Sequence, residues 1–293
     1  MTKIAVCGGD RREIAVLNRL LELGYDVAAY ALPSRLLPID ATYYDDAAAA
    51  MDEAAALILP MPPLGASGEL HNICGCEHHF SPALLSLLPP RAPLLCGLAS
   101  ASLAEAARRL RLRLIETAEL DAVALPLAAA CAEGALAEAI INGDDLLGGK
   151  RALLIGYGRI GRELAPLLAA TRQQLTVANR GAERAKQAEQ DGYHCCSWPE
   201  LAAVAAQVDY IYNTVPKRLF TDSVLRLLKP HALIVDLAPT PGCASAEAAR
   251  SAGARLVRAG GLPGKYAPRY AGRVLADVYP RLLEAAWEVS GDV

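Results

Sequence analysis

Apolar residues fall into short unbroken runs separated by stretches of helical spacing, and this alternation repeats along the chain. Residues 3–9 hold the continuous run Ile4-Ala-Val-Cys7, the pattern of a strand buried on both faces. Residues 12–23 place Ile14, Leu17, Leu20 and Leu21 at helical intervals and stop at Gly24, and 26–32 is a second strand. Further strands are expected at 54–60, 93–99 and 112–116, with a helix over 102–110, giving a five-stranded, doubly wound parallel sheet. A long Ala-rich helix over 121–141, closed by Asn142-Gly143, reads as a connection between domains. Beyond it the alternation resumes: strands at 152–156, 174–178, 193–196, 209–215, 232–238 and 255–259, with helices at 182–190 and 201–206 between them. Past Gly272 an amphipathic helix (Val274, Leu275, Val278, Leu282, Leu283, Ala286) is expected to return to the first sheet.

The strand at 152–156 runs straight into Gly156-Tyr-Gly158-Arg159-Ile160-Gly161, and a helical pattern with Leu164, Leu167 and Leu168 begins at once. This is the G-x-G-x-x-G fingerprint in the strand-turn-helix setting that dinucleotide binding requires. Gly156 permits the tight turn, Gly158 lets the backbone approach a pyrophosphate, and Gly161 lets the helix pack closely on the sheet. The first-sheet turn, Gly8-Gly9-Asp10-Arg11-Arg12, lacks the full fingerprint, so no second dinucleotide is expected there. The predicted fold class is therefore α/β, two doubly wound parallel-sheet (Rossmann-like) domains with a cleft between them. Residues 1–120 form a flavodoxin- or Rossmann-like substrate domain with helix 272–293 packed back on it. Residues 121–271 form the nucleotide-binding Rossmann domain, including the linking helix 121–143.

At 293 residues the chain is long enough for two such domains, and a net charge of −3 leaves no basic footprint for nucleic acid. The start is not of the charged-then-apolar leader type and no uninterrupted apolar run spans a bilayer, so a cytoplasmic protein without membrane contact is expected. Eight cysteines in a chain this long do not make a disulfide scaffold; most read as small buried thiols. His71-Asn-Ile-Cys74-Gly-Cys76-Glu-His78-His79 gathers five soft or imidazole ligands in nine residues. Its spacing is not that of a zinc knuckle and no second ligand pair follows, so the expectation is no metal and a polar loop instead.

Cofactor choice is read at the end of the strand after the fingerprint, where an NAD enzyme usually offers a carboxylate to the ribose. Here that place holds Asn179-Arg180, with Arg184 one turn on, cations suited to a 2′-phosphate. NADP is expected, with NAD possible and a solvated surface charge as the plain alternative. The next strand ends carry Asn213-Thr214-Val215-Pro216, Asp236 and Gly260-Gly261, which are expected to border the nicotinamide; for Asp236 the alternative is capping. Lys265, Tyr266, Arg269 and Arg273 follow, a cationic rim or ordinary surface charge. No Ser-His-Asp arrangement or proton-shuttling histidine is evident by spacing, so no catalytic acid or base is assigned.

With these residues in place the sequence resembles the dipicolinate synthase A-subunit family over essentially its whole length. The resemblance is carried by Ile4-Ala-Val-Cys-Gly-Gly-Asp-Arg11, Ala132-Glu133-Gly134, the fingerprint, Asn213-Thr-Val-Pro216, Ile234-Val-Asp-Leu-Ala238, Pro241-Gly242, Gly261-Leu-Pro-Gly264 and Ala267-Pro268. It implies oxidation of a dihydrodipicolinate-type intermediate of the lysine pathway to pyridine-2,6-dicarboxylate, the spore-core chelator, in the mother-cell cytoplasm. It also implies that the partner is the flavoprotein-like dipicolinate synthase B-subunit, and that the fold is related to the D-2-hydroxyacid dehydrogenases; a homo-oligomer is expected. A dicarboxylate demands cations at both ends, for which Arg11 or Arg12 from the first domain and Lys265, Arg269 or Arg273 from the second are the candidates, with Ser100 and Glu133 as further substrate contacts. One departure stands out. Where the family is expected to carry Asn and then Pro-Thr before the Glu-Gly pair, this chain has Leu127-Ala-Ala-Ala-Cys131. Two other readings fit the same motifs: a dehydrogenase of a hydroxy acid or shikimate-like acid, and an NADP-sensing subunit without turnover.

Overall fold

A computed structural model describes residues 1–61, 64–65, 68–75 and 77–288. By its internal contacts the chain forms two compact units, Met1–Leu127 with Ala267–Val293, and Ala128–Tyr266. Each is built on one parallel sheet.

In the first unit the strands are β1 (Lys3–Cys7), β2 (Asp26–Tyr30), β3 (Thr42–Tyr44), β4 (Ala56–Ile58), β5 (Pro93–Cys96) and β6 (Arg113–Glu116). They lie side by side as β3-β2-β1-β4-β5-β6, with Ile4 of β1 opposite Val27 on one side and Ala56 on the other. In the second unit β7 (Arg151–Ile155), β8 (Gln174–Ala178), β9 (His194–Cys196), β10 (Tyr210–Asn213), β11 (Leu233–Asp236) and β12 (Arg255–Arg258) lie as β12-β11-β10-β7-β8-β9. The two orders are the same when each sheet is counted from its own first strand. Both reverse direction beside that strand, between β1 and β4 and between β7 and β10, and a ligand crevice forms outside the carboxyl ends of strands at such a reversal.

Alternation along the strands explains the layering. Ile4 and Val6 enter the core under the helices Arg11–Glu22 and Pro268–Glu288, whereas Ala5 and Cys7 enter the opposite core with Met51, Leu57 and Leu85. In the second sheet Ala152 and Leu154 face one core, Leu153 and Ile155 the other. At roughly 1.5–3 kcal/mol for each large aliphatic side chain removed from water, these two-sided strands hold the layers together.

The long helix Asp121–Asn142 serves two cores: Val123 and Leu127 belong to the first unit, Ala132, Ala135 and Ala139 to the second. The division therefore falls inside the helix, after Leu127, and not ahead of it. This helix is long and apolar enough, by length and composition, to cross a membrane, although Glu133 and Glu138 interrupt its apolar residues. Its Val123, Leu127, Ala132, Ala135 and Ala139 meet the cores, whereas Leu125, Ile140 and Ile141 are exposed. The last helix begins at Pro268, earlier than the apolar spacing suggests, because proline is pre-set for a first helical position. Gly272 lies inside it, where a Cβ would stand 2.9 Å from that of Ala15 and 3.3 Å from the Cα of Arg12. That close approach lets the helix pack on Arg11–Glu22, as its return to the first sheet requires, and it puts Arg269 and Arg273 in the first unit. Not expected from the sequence are β3, a three-residue strand at the sheet edge, and the short helices Ala47–Met51, Asp222–Leu225, Ala246–Ser251 and Leu262–Tyr266.

Candidate coenzyme and substrate sites

The fingerprint turn sits at the reversal of the second sheet, and each glycine has a separate geometric reason. Gly156 has φ +97°, and a Cβ there would lie 2.2 Å from Thr214 Oγ1. At Gly161 a Cβ would lie 2.2 Å from the Gly156 carbonyl oxygen, so the helix Arg159–Ala170 comes against the turn as no other residue permits. Gly158 is the N-cap of that helix, and no side chain caps it. The first-turn N–H groups and the positive end of the helix dipole are thus left for an anionic ligand. Where a side chain at Gly158 would stand, the nearest atom is Arg184 Nη1 at 3.4 Å.

Asn179, just after β8, accepts from the Tyr157 backbone N–H at 3.2 Å and donates to the Gly181 carbonyl at 2.9 Å. Its side chain therefore shapes the turn, while Arg159, Arg180 and Arg184 stand exposed nearby in sequence and Ile160 is half-buried. Tyr157, which no motif marks, holds the turn from below: its hydroxyl donates to Asp191 at 2.6 Å. Thr214 donates to the Ile155 carbonyl at 3.0 Å, tying the β10 end to the fingerprint strand; Val215 is half-buried and Pro216 exposed.

Asp236 is held differently from the expectation that it borders the nicotinamide. Its side chain is fully buried and accepts from Asn213 Nδ2 at 2.7 Å, Arg258 Nη1 at 2.5 Å, the Cys243 N–H at 2.9 Å and the Cys243 thiol at 3.3 Å. It organises the Pro239–Cys243 loop from inside, the turn-capping alternative, accepting from the N–H groups of Ala238 and Cys243. Burial, followed by the Asp236 charge, pushes the Cys243 thiol pKa up, so this cysteine stays a neutral donor. Gly261 is exposed, with φ +65° and open space where a side chain would begin. Lys265 is not a free cation: its Nζ lies 2.5 Å from Glu138, which is almost fully buried and also accepts from Tyr266 at 3.1 Å. Burial would raise the Glu138 pKa, but Lys265 and Tyr266 outweigh it and bring it down. Glu133 is exposed on the long helix, and Gly134 beside it admits Leu262, whose Cβ is 2.8 Å from where its own would be.

The first sheet has a turn at the equivalent place, already filled by its own side chains. Glu13 occupies the space beside Gly9, at 2.5 Å from a built Cβ, and accepts from the N–H groups of Asp10 and Met61 at 2.7 and 3.1 Å. Asp10 and Glu13 complete a capping box on the helix Arg11–Glu22. Carboxylates stand where a phosphate would need N–H groups, so this turn is not built to cradle a pyrophosphate. Arg12 is not available to substrate either: it is buried and doubly hydrogen-bonded to Asp10, with Nη2 2.9 Å from Oδ2. Arg11 is exposed at the helix start, and a Cβ at Gly272, between Arg269 and Arg273, would stand 3.4 Å from its carbonyl oxygen. Arg11, Arg269 and Arg273 thus belong to one end of one helix pair, and are not divided between two domains as the sequence suggests. Ser100 caps the helix Ala101–Arg109 by accepting from Leu103 at 3.2 Å.

The cysteine- and histidine-rich loop disperses. His78 pairs with Tyr30 at 3.2 Å, His79 with Glu77 at 3.1 Å, and Cys76 lies outside the described residues. Among the described residues no three His, Cys, Asp or Glu side chains gather to hold a metal. Leu127, Ala128 and Ala130 are buried, so the departure at 127–131 supplies core packing.

A Rossmann sheet with an uncapped dinucleotide turn defines the class, and residues 128–243 match the NAD-binding domain of the D-isomer specific 2-hydroxyacid dehydrogenases. The chain carries the nicotinamide-binding domain of an oxidoreductase. More particularly, residues 3–118 match the dipicolinate synthase A-subunit N-terminal domain. The chain is 27% identical over 287 residues to the dipicolinate synthase A-subunit of Bacillus subtilis (strain 168), covering 96% of this chain and 95% of that protein. The crystal structure of the Bacillus subtilis A-subunit superposes with a TM-score of 0.83 at 26% identity, covering 98% of this chain and 97% of that one. That of the A-subunit from Bacillus halodurans gives a TM-score of 0.86 at 24% identity, covering 96% and 97%. The resemblance to the dipicolinate synthase A-subunit carried by the motifs thus runs from end to end of the chain.

Proposed function

We propose that this protein oxidises a dihydrodipicolinate-type dicarboxylate to pyridine-2,6-dicarboxylate with NADP, in the role of a dipicolinate synthase A-subunit. The observation that carries the reading is the pairing, in one chain, of an uncapped fingerprint turn with the N-terminal domain characteristic of those proteins. Bound NADP supplies the hydride acceptor. The N–H groups after Gly158 hold its pyrophosphate, Arg180 and Arg184 pair with its 2′-phosphate, and the Asn213–Pro216 and Gly261 backbones flank its nicotinamide end. Arg11, with Arg269 and Arg273, holds substrate carboxylates; Ser100 and Glu133 are secondary contacts, and Arg12, Lys265 and Asp236 act by holding other residues in place. Aromatisation drives the step, so precise placement of the ring contributes more than strong acid or base chemistry. A partner of the dipicolinate synthase B-subunit type, a homo-oligomer and a cytoplasmic setting accompany this reading.

The match of residues 128–243 to a 2-hydroxyacid dehydrogenase domain favours one second reading, oxidation of a hydroxy acid. Incubation of the protein with the lysine-pathway intermediate and NADP, followed by dipicolinate absorbance, separates the two. Dipicolinate formation supports the proposal. Turnover of hydroxy acids alone overturns it, and coenzyme binding without turnover of either leaves a sensing role.

A further inference from the structure

Of the three fingerprint glycines, only Gly158 is demanded by neither backbone conformation nor packing. Gly156 has φ +97° and Gly161 meets the Gly156 carbonyl, whereas Gly158 has φ −96°, which any residue adopts. What Gly158 leaves is room, and the nearest atom bordering that room is Arg184 Nη1, 3.4 Å from where a Cβ would stand. The Arg184 guanidinium thus lies at the uncapped start of the helix Arg159–Ala170. Its side chain is exposed and has no hydrogen-bond or ion-pair partner among the described residues.

The helix that carries Arg184 is tied to the turn at both ends. Ala182–Gln190 starts from its N-cap Gly181 and stops at its C-cap Asp191. At the start, Asn179 accepts from the Tyr157 backbone N–H at 3.2 Å and donates to the Gly181 carbonyl at 2.9 Å. At the end, Asp191 accepts from the Tyr157 hydroxyl at 2.6 Å. Both ties lead to Tyr157, the buried residue between Gly156 and Gly158. Burial, and then the hydrogen bond to Asp191, push the Tyr157 pKa up, so the hydroxyl stays a donor. The same hydrogen bond, followed by one from Gln187, lowers the Asp191 pKa, so the acceptor stays charged near neutral pH. One residue of the turn thereby fixes the helix that returns a cation to the turn.

We propose that Arg184 binds the coenzyme pyrophosphate, beside its part at the 2′-phosphate, and that Tyr157 positions it there, an assignment that rests on the dinucleotide coenzyme of the functional reading above. The N–H groups after Gly158 are neutral donors, whereas a guanidinium makes charge-assisted hydrogen bonds, roughly twice as strong, and can make two in parallel to one anionic group. The two arginines therefore divide the work. Arg184 serves NAD and NADP alike through the phosphates they share, and Arg180 tells them apart at the 2′-phosphate. Tyr157 acts through Arg184: its hydroxyl is spent on Asp191, on the far end of the helix, and is not offered to a ligand.

The test uses the full chain and two probes titrated calorimetrically: ADP-ribose, which carries the pyrophosphate without the 2′-phosphate, and its 2′-phosphorylated form. Arg184→Met is expected to raise the Kd of both by about 10- to 100-fold, the loss of a charge-assisted hydrogen bond. Arg180→Met should weaken only the 2′-phosphorylated probe, leaving ADP-ribose within about twofold of wild type. Tyr157→Phe and Asp191→Ala break the tie from its two sides, the second at an exposed position. Each should raise the ADP-ribose Kd by about 3- to 10-fold, and each should add nothing in an Arg184→Met background. A merely structural role would weaken both backgrounds alike, and that result overturns the positioning role of Tyr157. ADP-ribose binding unchanged in Arg184→Met overturns the pyrophosphate assignment, whatever the enzyme oxidises. Wild type that binds ADP-ribose but forms no dipicolinate overturns the proposed reaction and leaves Arg184 assigned. Binding of neither probe overturns both.

Discussion

Replacing Gly161 by alanine should lower stability, although helix propensity alone predicts the reverse. Glycine inside a helix is worse than alanine by roughly 0.5–1 kcal/mol. Here, however, the new methyl would stand 2.2 Å from the Gly156 carbonyl oxygen and 3.1 Å from its carbon, both backbone atoms. The turn cannot retreat, because Gly156 has φ +97° and Thr214 Oγ1 already fills the space on its side. Forcing a methyl into such a contact costs about 1–3 kcal/mol, so a net loss of about 1–2 kcal/mol is expected after the propensity gain. Gly158→Ala is the control: its φ is −96° and the nearest atom is Arg184 Nη1 at an ordinary 3.4 Å, so its stability should stay within about 0.5 kcal/mol of wild type. The coenzyme dissociation constant of Gly158→Ala should nonetheless rise, since on the proposed function the pyrophosphate approaches the backbone there. Urea unfolding followed by circular dichroism gives the first quantity and coenzyme titration the second. Gly161→Ala as stable as wild type would refute the reasoning.

Other consequences are equally direct. Asp236→Ala leaves Arg258 without its carboxylate; because Arg258 keeps 37% of its side chain in water, the loss should be about 2 kcal/mol, below the roughly 3–5 kcal/mol of a fully buried pair, in urea unfolding. Asp10 has its pKa lowered to about 2 from an ordinary 3.8, so its stabilising contribution is present above pH 3.8 and lost as pH falls through 2. The unfolding free-energy gap between wild type and Asp10→Asn should therefore narrow between about pH 4 and pH 2. Arg11→Ala should raise the KM for the dicarboxylate sharply without weakening NADPH binding, whereas Lys265→Met should leave KM within about twofold and lower Tm, since Lys265 serves Glu138.

The strands and the coenzyme turn are legible in the sequence because both are local. A run such as Ile4–Cys7 or Ala152–Ile155 signals a strand buried on two faces by itself, and the spacing of Gly156, Gly158 and Gly161 carries its own geometry. The strand Gln174–Ala178 and helix Ala182–Gln190 fall where the pattern puts them. What escapes is set by distant partners. Nothing in the neighbourhood of Lys265 in sequence announces Glu138, 127 residues away, and nothing near Asp236 announces that Arg258 and Cys243 will consume it. His71 looks like one member of a metal-like cluster because its true neighbour, Asp10, is far from it in sequence. The strand β3 is too short and too exposed to carry a hydrophobic signal.

The contrast between the two helix starts bears on how the protein responds to its coenzyme. In the first unit Asp10 and Glu13 close the helix end from within, so that unit carries its counter-charge permanently. In the second unit the helix after Gly158 has no such closure, and on the proposed function its counter-charge is the coenzyme pyrophosphate. A ligand that binds the folded form adds RT ln(1 + [L]/Kd) to stability, about 2.7 kcal/mol at a hundredfold excess over Kd. Amide hydrogen exchange should therefore slow on NADP addition in the amides following Gly158 and through β7 and β8, while the amides following Asp10 exchange as before. On the proposed function, one half of the chain is finished by folding, and the other by its cofactor.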